Sequence, residues 1–148
     1  MLKSTDIRIL LDDLASIPDL GIDSSGVVSM RSDLADFTKD QRAERPYLLG
    51  VVPSTQLAGR GDDGFFYLDR FELLVAYRMV SKQSYPERLR RLDDCARIVG
   101  LIIPHIQQRI TTCSAPWVGV QLSGSSVEPI EIDQMRGYIL LLDIRRPI

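Results

Sequence analysis

The chain has 148 residues, 45% of them hydrophobic and 26% charged, the size and composition of one ordinary globular domain, which excludes wholesale disorder. Its 18 basic and 20 acidic residues leave a formal charge of −2, so it lacks the concentrated basic surface that general nucleic-acid binding requires. The two cysteines, Cys95 and Cys113, make neither a disulfide framework nor a metal cluster, and no window reaches the roughly 18 apolar residues that span a bilayer.

From the N-terminus, Ile7, Leu10, Leu11 and Leu14 recur at i, i+3, i+4 and i+7, which predicts an amphipathic helix over Ser4–Ser16 capped by Ser4 or Thr5 and stopped by Pro18 and Gly21. Acids within this apolar stretch argue against a signal peptide and for a reducing cytoplasmic compartment, or a particle assembled there. A short extended piece is expected at Val27–Met30. The charge-dense stretch Arg31–Arg45, with Leu34 and Phe37 as isolated anchors, reads as a loop or irregular turn.

Pro46–Val52 is a short apolar run between prolines and predicts a buried strand. Ser54–Gly64, polar and glycine-rich, reads as a flexible loop. Phe65–Val80 is the clearest strand. Phe71, Leu73, Val75, Tyr77 and Met79 alternate onto one face, while Arg70, Glu72 and Arg78 share the other with Leu74, Ala76 and Val80. Mixed faces of that kind suit protein contacts, so Glu72, Leu74 and Arg78 are candidate subunit-interface residues.

Ser84–Ile110 predicts the main helix, with Ser84 as cap, Pro86 in the first turn and Glu87 at capping-box spacing. Its expected apolar stripe is Leu89, Leu92, Ala96, Val99, Ile103, Ile106 and Ile110, with Cys95 a buried free thiol and a kink or break at Pro104. Trp117–Leu122, a polar turn at Gly124–Ser126 and a final strand close the chain, Tyr138, Leu140, Leu142 and Ile144 alternating with Ile139, Leu141, Asp143 and Arg145. Strands fall in adjacent groups rather than alternating with helices. The expected fold is therefore one α+β domain over residues 1–148, a mostly antiparallel sheet of four to five strands with the long helix and the short N-terminal helix packed on one face.

Gly59, Gly61 and Gly64 match a dinucleotide fingerprint, whose chemistry needs a helix to follow so that pyrophosphate meets its N-terminus; a strand follows here. Arg60-Gly61-Asp62 is too short to carry information. His105 is the sole histidine and its sequence neighbours Pro104 and Ile106 offer no catalytic or metal partner, so a structural or surface role is expected. The pairs Asp12-Asp13, Asp62-Asp63 and Asp93-Asp94 read as solvated faces rather than cation sites, since adjacent helical residues diverge by about 100°. Arg88, Arg90, Arg91, Arg97 and Arg109 make the main helix locally basic, but interleaved acids favour a solvated or subunit-contacting face over a nucleic-acid groove, and Trp117 reads as a core edge. No catalytic, cofactor-binding or metal-ligating set emerges, and the chain is expected not to be an enzyme.

The order of elements, TDIRILLDDLASI as a short helix, PYLLGVV and RFELLVAYRMV as strands, YPERLRRLDDCARIVGLII as a helix and GYILLLDIRRPI as a closing strand, resembles the tail-terminator proteins of long-tailed bacteriophages and related tail-like particles. The resemblance implies a homo-oligomer, usually a hexameric ring, that caps the tail tube and meets the head connector in a virion or tail-like particle assembled in the bacterial cytoplasm. It implies no cofactor, no membrane and no sequence-specific nucleic acid; a net charge of −2 suits a channel past which DNA slides. The 54–64 loop, with Arg60, Asp62 and Asp63, would then order against a neighbouring subunit. Two alternatives stay open: a small enzyme or ligand-binding domain with a pocket between sheet and helix, and a bacterial accessory protein binding one protein partner.

Overall fold

The computed structural model describes residues 2–29, 33–59 and 64–147, and has the mixed α+β architecture that the order of elements implies. Helix α1, Ser4–Ala15, buries Ile7, Leu10, Leu11 and Leu14, the stripe read from their spacing. Its cap differs. The residue before the first turn is Lys3, whose amide donates to the Asp6 carboxylate at 2.8 Å, so an acid three residues on replaces the expected Ser4 or Thr5 hydroxyl.

Strand β1, Ser25–Val28, pairs in parallel with β2, Tyr47–Val51, every residue of which is buried. Parallel neighbours need a crossover, and the connection between them holds a helix, α2, Leu34–Lys39, in the stretch expected to be irregular. Leu34 and Phe37 are its anchors: Leu34 is buried, and Phe37 lies against Gly26, where even a Cβ would meet the ring at 2.2 Å.

The stretch expected to be a 54–64 loop contains a strand. Thr55–Gly59 forms β3, antiparallel to the first half of β4, Phe65–Arg78, while Arg60–Asp63 lie outside the described residues. On β4, strand β2 reaches only residues 72–76, which leaves residues 65–69 free to accept β3 on that edge. The polar composition of Thr55–Gly59 reflects exposure rather than lack of structure.

Helix α3 spans Tyr85–Thr111, and the Ser84 hydroxyl accepts from the Glu87 amide at 3.3 Å as its sequence predicts. It runs through Pro104 without a break. The carbonyl left without a donor belongs to Gly100, which is exposed, so water can satisfy it. The buried stripe is Cys95, Ile98, Val99, Ile102 and Ile106; of the predicted positions, Leu89 and Ala96 are exposed and Ile103 and Ile110 half-buried. A seven-residue repeat drifts about 20° per heptad around a straight helix, so a helix crossing a sheet uses a different set of positions from the one the repeat suggests.

Strands β5, Val120–Ile132, and β6, Met135–Pro147, form a long hairpin. The turn expected at Gly124–Ser126 is instead a register shift inside β5, between Gln121 and Ser126. The chain reverses at Asp133-Gln134, with Asp133 at φ 51°, a left-handed conformation that aspartate tolerates better than most residues. Sheet order is β1-β2-β4-β6-β5, with β3 against the outer half of β4.

Two cores result, because the sheet is covered on both faces. Helices α1 and α3 bury Leu48, Phe71, Leu73, Val75, Tyr77, Leu140, Leu142 and Ile144 on one side, as expected. On the other, α2 covers Tyr47, Leu49, Leu74, Ala76 and Ile139, a second core the sequence reading did not include.

Candidate functional site

The densest polar constellation centres on Asp13, on the inner side of α1. His105 Nε2 lies 2.8 Å from its Oδ2 and Trp117 Nε1 donates to the same oxygen at 2.6 Å, while an Arg109 guanidinium nitrogen reaches Oδ1 at 3.2 Å. The i, i+4 spacing of His105 and Arg109 on α3 puts both over α1. A carboxylate only accepts, so the imidazole carries its proton on Nε2. Burial alone would raise the Asp13 pKa, but hydrogen bonds from His105 and Trp117 and the charges of Arg109 and His105 outweigh it, and the carboxyl is held below its ordinary value. With both oxygens engaged, this carboxylate works as a lock joining α1, α3 and the segment before β5. His105 therefore has partners that its sequence neighbours did not reveal. Trp117, fully buried, has a polar anchor as well as a core contact. Among the described residues, no three His, Cys, Asp or Glu side chains gather to hold a metal ion, and no helix is long and apolar enough to cross a membrane.

The candidate interface residues scatter. Leu74 is 1% exposed and sits in the core under α2, so the expectation that it meets a neighbouring subunit gives way: the apolar half of that mixed face already has its cover. Arg78 donates to the carbonyls of Lys39 and Gln41 at 3.1 and 3.2 Å, fastening the C-terminal end of α2 to β4. Glu72 is half-buried on the same face, opposite Val51 and Leu141. Arg60, Asp62 and Asp63 lie outside the described residues. Of the fingerprint-like glycines, Gly59 ends β3 and Gly64 precedes β4, so a strand and not a helix follows.

Two surface features stand out, the first of them unread in the sequence. On the hairpin, Leu57 pairs with Tyr67 and Gly59 with Phe65, so Leu57, Phe65 and Tyr67 share one face. Leu57 and Phe65 are 62% and 60% exposed. Taking Thr55–Gly59 for a loop hid this, because a period of two has meaning only within a strand. The second feature is a groove of about 210 Å³ between α3 and the β5–β6 hairpin, lined by Ile103, Gln107, Leu122, Val127 and Leu142 among others. No protein-family model matches the chain, and no curated protein sequence is significantly similar to it.

Proposed function

We propose that the chain is a structural assembly subunit, a ring-forming tail terminator that caps a tail tube and meets a head connector in a phage or tail-like particle. The observation that carries this reading is the β3–β4 hairpin, which holds exposed Leu57 and Phe65 on one face beside half-buried Tyr67. Exposed apolar area costs about 25 cal/mol per Å², and a neighbouring subunit laid on the hairpin removes that cost. The elements that support the resemblance occur in the required order, α1, β2, β4, α3 and β6. The reading moves the expected contact from Leu74 to the β3–β4 hairpin.

Sedimentation velocity of the full chain over a range of concentrations tests it. The expected result is a species several times the 16.7 kDa chain mass, converted to monomer by Leu57→Asp with Phe65→Asp. A monomer or dimer at every concentration sinks the ring reading and returns the field to a ligand-binding domain or a one-partner accessory protein. The groove between α3 and the β5–β6 hairpin is the observation favouring a ligand-binding domain.

A further inference from the structure

On one side of β4 the sheet continues through β6 and ends in β5; on the other, the outer half of β4 is edged by β3. Each of these edges carries an apolar feature on the face that α1 and α3 cover. At the β3 edge, Leu57 and Phe65 stand exposed beside Tyr67, in the same alternation as Phe71 of the core. At the β5 edge a groove of about 210 Å³ opens, with Ile103 and Gln107 of α3 facing Leu122 and Val127 of β5, and Leu140 and Leu142 of β6 completing it. Val127, on the rim, is 46% exposed.

The two features match in chemistry and in size. Neither the three hairpin side chains nor the residues lining the groove include a charge, and depletion of charge marks the centre of a protein interface. An apolar cavity of roughly 150 Å³ takes up benzene, so a groove of about 210 Å³ has room for the ring of Phe65. The hairpin cannot fill the groove of its own chain, because β4 and β6 lie between β3 and β5. Nor does the β5 edge suit strand addition. Pro129 brings no amide to it, and the register shift between Gln121 and Ser126 interrupts it, two devices that blunt an edge against pairing. Side chains, not a continued ladder, therefore make the contact. Two hairpins facing each other would leave the groove open and close the assembly at two copies. A small ligand in the groove would leave Leu57 and Phe65 uncovered. A hairpin seated in the groove of the next copy covers both features, and such a head-to-tail contact repeats around a ring.

We propose that the groove is filled by a second copy of this chain, whose Leu57 and Phe65 seat between α3 and β5. The proposal rests on the ring-forming reading and assigns that ring its second surface. Mixing two defective chains tests it. One carries Leu57→Asp with Phe65→Asp and keeps its groove; the other carries Gln107→Glu with Val127→Asp and keeps its hairpin. All four positions are exposed, so native circular dichroism is expected from both chains. In sedimentation velocity each variant alone is expected to need about tenfold or more the parental concentration to assemble. Where neither assembles, an equimolar mixture is expected to form a one-to-one heterodimer, held by its one intact hairpin–groove contact. Assembly of the Gln107→Glu, Val127→Asp chain at parental concentrations overturns the groove contact and leaves the ring reading standing. A parental dimer that only the hairpin variant dissociates, with no association in the mixture, puts hairpin against hairpin and overturns both. So does a parent that is monomeric throughout. Where an aspartate unfolds its chain, Leu57→Ser with Phe65→Ser, or Val127→Ser, takes its place in the same mixture.

Discussion

His105 Nε2 and Asp13 Oδ2 meet at 2.8 Å across 92 residues of chain, joining the middle of α3 to α1. The same carboxylate holds Trp117 and Arg109, so one side chain ties three segments together. Because its pKa lies below the ordinary 3.8 in the folded chain, Asp13 stabilises the fold fully above the unfolded value, and that contribution is lost as pH falls through the folded one. Urea midpoints should therefore fall as the pH drops below about 4, and Asp13→Asn should flatten this dependence. Asp13→Ala, which orphans Trp117 Nε1 and His105, is expected to cost about 2–4 kcal/mol at pH 7. A variant as stable as the parent would show that the three donors are satisfied elsewhere.

Leu74 gives the sharpest separation between core and interface. Leu74→Ala should cost about 2–4 kcal/mol in chemical denaturation, whatever the protein concentration, because it opens a cavity under α2. Dependence of that loss on concentration would move Leu74 back to a subunit contact.

The two thiols should behave oppositely. Burial, with the nearby Asp94 charge adding to it, pushes the Cys95 thiol up to about 12, whereas Cys113 is exposed. Since the thiolate is the reactive form, alkylation of the native chain at pH 8 should modify one thiol quickly and the second only on unfolding. Rapid modification of both in the folded protein contradicts the placement of Cys95.

Gly137 packs its Cα against the β4 backbone, where an added Cβ would lie 2.1 Å from the Val75 carbonyl oxygen. Gly137→Ala is expected to destabilise by about 2 kcal/mol or more, read as a fall in Tm, since backbone rather than a pliable side chain must give way. The exposed Gly100 of α3 meets nothing within 4 Å, and Gly100→Ala should leave Tm unchanged or raise it.

What the sequence determined was local and periodic. Ile7, Leu10, Leu11 and Leu14 specified α1, the alternation from Phe71 to Tyr77 specified the core face of β4, and Ser84 with Glu87 fixed where α3 starts. Each depends on neighbours a few residues apart, and short-range spacing encodes those. Tertiary structure decided the rest. The six residues of α2 are too few to show a period; they are helical because Leu34 and Phe37 find the far face of the sheet. Thr55–Gly59 is a strand because β2 leaves the outer half of β4 unpaired, and Leu74 is core because α2 lies over it. The lock at Asp13 joins residues more than ninety positions apart, and no local spacing can announce such contacts before the sheet and helices have packed.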